Sequence, residues 1–414
     1  MLASQSRDRV CVQQGGEAMR GRCSLVLAAL LAGMLGWFAA PVPTATAAHP
    51  PRAKWTFMVY IDGDNNLERY VTLDIETELA QPGSNADVHV VALADRIPGY
   101  DNSAGDWTTT KLFYITPGMR ATPENALADW GERNMGDPQT LREFIQWAQA
   151  NHPADHYALI LWDHGWGWRP YQTMWDETDN DSLDQHEILA VLQAVGGVDV
   201  VGYDACEQQM IEVETTWRGY AQAIAASQED VGWNGFEYDQ VLTALQANPT
   251  MTGEQLAVEL ARSMKDWTSA AVALNPAWDA LLTAVDEWSI ALLDGLPTYQ
   301  SAYDKAYKFT QAMADPTNKD LYDAAKEIQA RVSDPTIRAK SQAVMDAVTA
   351  VTLYEWHKNG YKDAHGIGIF WPRTRSDLDE PSSPENDFEY YRTLLFSQRT
   401  HWDEFIAVYA DRDR

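Results

Sequence analysis

Two short apolar runs constrain this chain more than anything else in it. Tyr157-Ala-Leu-Ile-Leu-Trp162 leads into Asp163-His164-Gly165-Trp166-Gly167-Trp168, and Val198-Asp-Val-Val-Gly202 leads into Tyr203-Asp204-Ala205-Cys206. Runs this apolar belong to strands covered on both faces, as in parallel sheets. The pattern between them, Ser182 to Leu192, reads as the helix that carries the chain back from one strand to the other. Strand, helix, strand places both carboxyl ends at one edge, where departing loops open a crevice. His164 and Cys206, 42 residues apart in sequence, can therefore meet there as imidazole base and thiol nucleophile.

The rest of the chain repeats this rhythm at first. Strands are predicted over Trp55–Ile61 and Val88–Ala94, and an alternating edge-hairpin strand over Trp107–Ile115. Asp62-Gly-Asp-Asn-Asn66 reads as a turn that caps a helix over Leu67–Leu79. Asp137-Pro138 caps a second helix, Gln139–Asn151, with Phe144, Ile145, Trp147 and Ala148 inward. A helix over Glu207–Tyr220 and a strand over Ala221–Ser227 follow the cysteine. Beyond Asn234 the pattern turns to Ala-rich amphipathic helices: 239–246, 252–264, 276–293, 298–313, 321–332 and 336–354. One further strand is expected near 270–275 and a late one over Gly366–Trp371, before a helical end. The fold class is thus α/β, a doubly wound sheet flanked by helices with a largely helical C-terminal part. The expected division is a leader over 1–47, a catalytic core over 48–235 and a helix-rich part over 236–414.

Arg20 and Arg22 precede the apolar run 25–40, and Ala45-Thr46-Ala47 has the small residues of a signal-peptidase site. The expectation is export, with a secreted or periplasmic destination and no membrane association once the leader is gone. Cys11 and Cys23 leave with the leader, so Cys206 is the one thiol of the mature chain and has no disulfide partner within it. A lone cysteine is also commonly a small buried apolar residue; its place at a strand end, opposite His164, favours chemistry. The charge is strongly acidic. Without the four arginines and two acids of the leader, 27 basic residues face 58 acidic ones, a net of −31. Such a surface repels phosphate backbones and excludes nucleic acid as a partner.

The two strand-and-turn units resemble the clostripain family of cysteine peptidases, which share a caspase-like, mostly parallel sheet. Trp55 to Leu67, the acidic segment Asp176 to Leu183, and Ala225-Ala-Ser-Gln-Glu229 with Gly232-Trp233 extend the resemblance over about Lys54 to Leu245. It implies a cysteine endopeptidase acting on peptides or proteins with exposed arginine or lysine. His164 and Cys206 are then the catalytic dyad, and the Gly165 and Cys206 amides the oxyanion hole. Asp204 becomes the acid of a specificity pocket that prefers arginine to lysine. No cofactor is required and no metal ligand is assigned, although relatives that depend on calcium make the acidic run 176–184 a place for that ion. Relatives are often matured by cleavage between the two catalytic residues at a basic residue. Here Arg169 is the single Lys or Arg in that interval, which favours an enzyme working as one chain.

Two features weigh against a simple transfer. Glu207 puts an acid beside the thiol where relatives carry an apolar residue, while a helix starting there would favour the thiolate. The alternatives are an inactive peptidase fold that binds a partner, or a carbohydrate-binding protein using Trp162, Trp166, Trp168 and Trp175 as a platform.

Overall fold

The computed structural model describes residues 52–171, 173–379 and 386–411. The expected leader, 1–47, lies outside them. Eleven strands occur among the described residues: β1 (Ala53–Ile61), β2 (Val88–Ala94), β3 (Thr110–Tyr114), β4 (Ala128–Gly131), β5 (Ala154–Trp162), β6 (Val200–Asp204), β7 (Ala223–Ala226), β8 (Thr268–Ala273), β9 (Asn318–Asp320), β10 (Thr352–His357) and β11 (Gly368–Phe370). Nine form one sheet in the order β10-β8-β7-β6-β5-β1-β2-β3-β4, and β9 pairs with β11 in a small ribbon. The five central strands, β2-β1-β5-β6-β7, are parallel. Antiparallel strands finish both sides.

Alternation along the central strands builds two cores. Met58, Tyr60, Leu93, Leu159, Leu161, Val201 and Tyr203 face one way, and the C-terminal helices join them there. Phe57, Val59, Ile61, Ala92, Ile160 and Val200 face the other, covered by Val71, Ile75, Val241, Leu256 and Leu260. The helix Pro138–Asn151 begins where expected, with Asp137 accepting from the Gln139 amide, and buries Phe144, Ile145 and Ala148, while Trp147 is half-buried. The return helix, Gln185–Val195, is fixed by a capping box between Asp184 and Glu187.

Three expectations need correction. No helix starts at Glu207: its φ is +56°, its amide bonds to Glu229 O, and the helix spans Ile211–Trp217. The polypeptide after Cys206 instead runs beside the extension of β7, Gln209 N bonding Ser227 O. The helices expected over 276–293 and 298–313 are one, Pro276–Phe309, with Pro297 inside. An internal proline costs about 3 kcal/mol, but Pro297 is exposed and Trp288, Leu292, Leu296 and Tyr303 are buried on both sides of it. Residues 352–354, read as helix, open β10. The part beyond residue 235 also contributes strands to the large sheet. β8 and β10 complete that sheet, and the described residues form one compact unit.

Candidate active site

β5 and β6 lie side by side with Trp162 opposite Asp204. One hydrogen bond continues the pairing past the strands, from Asp163 N to Asp204 O at 3.2 Å. The two reactive loops therefore leave from adjacent positions. Gly165 packs so tightly that a β-carbon there would sit 2.5 Å from Cys206 O and 2.7 Å from Gln208 Nε2, so position 165 must lack a side chain. His164 and Cys206 line one cleft of about 580 Å³ with Asp204.

Cys206 is half-buried, and Val231 N donates to its sulfur at 3.3 Å. Burial pushes the thiol up to about 12, with the charges of Asp230 and Glu207 adding to the shift and the Val231 amide opposing it. His164 is depressed by burial. Its Nε2 donates to Asn66 Oδ1 at 2.8 Å. Asparagine's oxygen only accepts, so the proton resides on Nε2 and Nδ1 keeps the lone pair. Burial thus holds both groups toward their neutral forms.

Glu207 acts on the sulfur through its charge, while its hydrogen bonds go elsewhere. Its carboxylate accepts from Asp315 N at 2.6 Å and Asn318 Nδ2 at 2.8 Å, which ties the nucleophile loop to the C-terminal half. Asp204 is buried but reaches the cleft, accepting from Tyr238 Oη at 2.5 Å and Phe236 N at 3.2 Å. Gly235, with φ +55°, presses on it: a β-carbon there would be 2.1 Å from Asp204 Oδ1. Asp74, Asp163, Asp230 and Asp266 line the same cleft, and no lysine or arginine is among the described residues around it.

The four tryptophans weighed as a sugar platform disperse. Trp162 lies at the cleft, its Nε1 bonding Asp74 Oδ2, whereas Trp168 is core, packed on Phe370 and Tyr391. Trp166 lines a neighbouring cavity, and Trp175 contributes backbone bonds to Asn65 and Asp163. The aromatics at the cleft mouth are others: Tyr70 stacked on the exposed Trp233 at 5.1 Å, and Trp267. The sequence also missed Asn66, read as part of a capping turn. The helix after it begins at Glu68 with no side-chain cap at Leu67. The acceptor preference of asparagine in a turn gave no sign that its partner would be a histidine 98 residues away.

The fold and the cleft define a class: α/β proteins that carry a thiol and an imidazole at the carboxyl edge of a partly parallel sheet. The chain belongs to the clostripain family, whose model matches residues 59–409. Clostripain of Hathewaya histolytica is 29% identical over 266 residues, which cover 52% of this chain and 51% of that protein. The match thus spans about half the length of that relative. Two solved structures share the fold. A secreted C11 cysteine protease from Bacteroides thetaiotaomicron, in complex with an irreversible peptide inhibitor, superposes with TM-score 0.61 at 16% identity, covering 84% of this chain and 99% of its own. An inactive zymogen C11 protease from Parabacteroides distasonis gives 0.62 at 19% identity, covering 85% and 99%.

Proposed function

We propose that the protein is an exported cysteine endopeptidase that cleaves after arginine, and less readily after lysine. The observation that carries this reading is the composition of one cleft: a thiol, an imidazole and five aspartates, without a lysine or arginine among its described lining. Cys206 attacks the scissile carbonyl while His164 Nδ1 takes its proton, then returns it to the leaving amine. The Gly165 and Cys206 amides are assigned to the developing oxyanion, a contribution worth roughly 10²–10³-fold per donor. Asp204 receives the cationic side chain of the residue before the cut. Burial costs a lone carboxylate its charge, and an arriving guanidinium restores it.

Export is supported by the Arg20–Ala47 pattern and by the secreted relative from Bacteroides thetaiotaomicron. None of the described helices is long and apolar enough to cross a membrane. The test is a panel of fluorogenic peptides differing only at the residue before the scissile bond. Arginine should be turned over fastest, lysine next, and Cys206→Ala should abolish turnover. Equal rates across the panel would remove the specificity assignment; unchanged turnover in the variant would remove the nucleophile. An arginyl chloromethyl ketone should alkylate Cys206, an outcome neither an inactive partner-binding fold nor a carbohydrate binder predicts.

A further inference from the structure

In sequence the segment after Asn66 reads as a helix started by a capping turn, yet the helix Glu68–Asp74 forms one wall of the catalytic cleft. Leu67, Tyr70 and Asp74 follow one another at spacings of three and four residues, which sets them on one helix face, and all three line the cleft. That face supplies both an aromatic rim, where Tyr70 stacks on Trp233, and an acid. Asp74 is only 5% exposed, between the wholly buried Val71 and Ile75. A helix position so buried ordinarily holds an apolar residue.

What surrounds the acid does not satisfy it. Its one hydrogen bond among the described residues comes from Trp162 Nε1 at 2.8 Å and occupies Oδ2, leaving Oδ1 to the cleft. No ion pair among the described residues involves it. Trp162 and Asp204 are partners in neighbouring parallel strands, so their side chains leave the sheet on one face. Tyr238 and Phe236, which bond Asp204, share with Trp162 the core on that face. Asp74, held by Trp162, thus joins Asp204 on one side of the sheet and in one cleft. Burial, with the charges of Glu78 and Asp204 adding to it and the Trp162 bond opposing, drives Asp74 toward its protonated form. Two acids so placed are charged together at little cost only with a cation between them.

We propose that Asp74 is a second carboxylate of the specificity pocket, receiving the guanidinium of the substrate arginine together with Asp204, and that it is the residue which separates arginine from lysine. The role rests on the peptidase activity proposed above and adds to it a determinant outside the strand that carries the nucleophile. A guanidinium presents five N–H donors in a rigid planar fork, enough to serve two carboxylates at once, whereas an ammonium is a compact, strongly hydrated point charge. With one acid the pocket would attract either cation; the second acid, fixed by the Trp162 indole, rewards the one that can reach both.

Asp74→Asn tests this, because asparagine keeps an oxygen for Trp162 Nε1 while the charge is removed. The variant should lower kcat/KM for an arginyl peptide by roughly tenfold or more, as losing a hydrogen bond to a charged group does. The loss should fall mainly in KM, and the matched lysyl peptide should suffer less, so that the arginine-to-lysine ratio narrows. Calorimetry on the full chain carrying Cys206→Ala gives a second readout without turnover: adding Asp74→Asn should weaken N-acetyl-arginine amide more than N-acetyl-lysine amide. Thermal unfolding should stay at the parental temperature or rise, since an uncompensated buried acid has gone. A parental ratio in Asp74→Asn, while Asp204→Asn loses the arginine preference, would overturn the role of Asp74 and leave the peptidase assignment standing. An equal loss on both peptides, confined to kcat, would mean that Asp74 only supports Trp162 and would overturn it as well. A parent enzyme without a basic preference would remove the underlying activity and this role with it.

Discussion

At the scale of single residues, the site is governed by how burial treats charge. Asp204 is pushed up to about 7, chiefly by burial and further by Asp266, while the Tyr238 hydroxyl and Phe236 amide oppose the shift. In the free enzyme it is protonated below that pH and ionised above it, and only the ionised form pairs with arginine. The kcat/KM for an arginyl substrate should therefore climb between pH 6 and 8. Its kcat should change less, because a bound guanidinium holds the carboxylate charged. Asp204→Asn should remove this limb and lower kcat/KM for arginyl peptides by roughly 30-fold or more, as losing one partner of a buried charge pair does. The limb from His164, which burial places below the ordinary histidine value, should persist at lower pH. A profile unchanged by the substitution would exclude Asp204 as the specificity acid.

At the scale of elements, the turn 62–66 does more than start a helix. Its side chains reach Thr178, the base of the histidine loop and the imidazole in succession. Asn66→Ala should leave KM nearly unaltered and reduce kcat by part of the roughly 10²–10⁴-fold that positioned proton transfer contributes. Asn66→Asp keeps an acceptor and adds a charge that favours imidazolium, so the histidine limb of the pH profile should move upward. A kcat loss in Asn66→Ala with no such shift in Asn66→Asp would mean that the contact only supports the loop. The turn after the cysteine has a comparable role. Glu207 adopts a left-handed conformation uncommon outside glycine, and its carboxylate fastens the loop to Asp315 and Asn318, so the nucleophile is held without a helix behind it.

At the scale of the molecule, the C-terminal half completes the central sheet. β8 and β10 extend one side, while Trp288 stacked on Trp402, with Trp371 against Trp402, packs the helical layer. Arg169 joins the halves. Nearly buried, it pairs with Asp387 at 2.8 Å and Asp315 at 3.6 Å and lies under Trp168 and Phe370. A peptide bond so enclosed cannot be drawn out as extended substrate without unpacking its surroundings. The purified protein should thus remain one polypeptide between His164 and Cys206 during prolonged incubation, as read by denaturing electrophoresis and intact mass. Arg169→Ala should cost about 3–5 kcal/mol of stability, the penalty for breaking a buried pair; an active preparation cut after Arg169 would contradict this account.

The sequence by itself determined the strands and what they deliver. Long apolar runs, polar turns and a cysteine with no other beyond residue 23 are local patterns, and they placed His164, Gly165, Asp204 and Cys206 at one sheet edge before any coordinates. Only the tertiary structure decided their surroundings. Asn66, Val231, Gly235 and Asp266 come from separate loops whose convergence depends on strand order, which periodicity does not encode. Glu207 shows the same limit: its acid lies beside the thiol in sequence, yet Asp315 and Asn318, more than a hundred residues on, decide where it points. So does Pro297, a local stop signal overridden because the buried side chains before and after it belong to one continuous packed stripe.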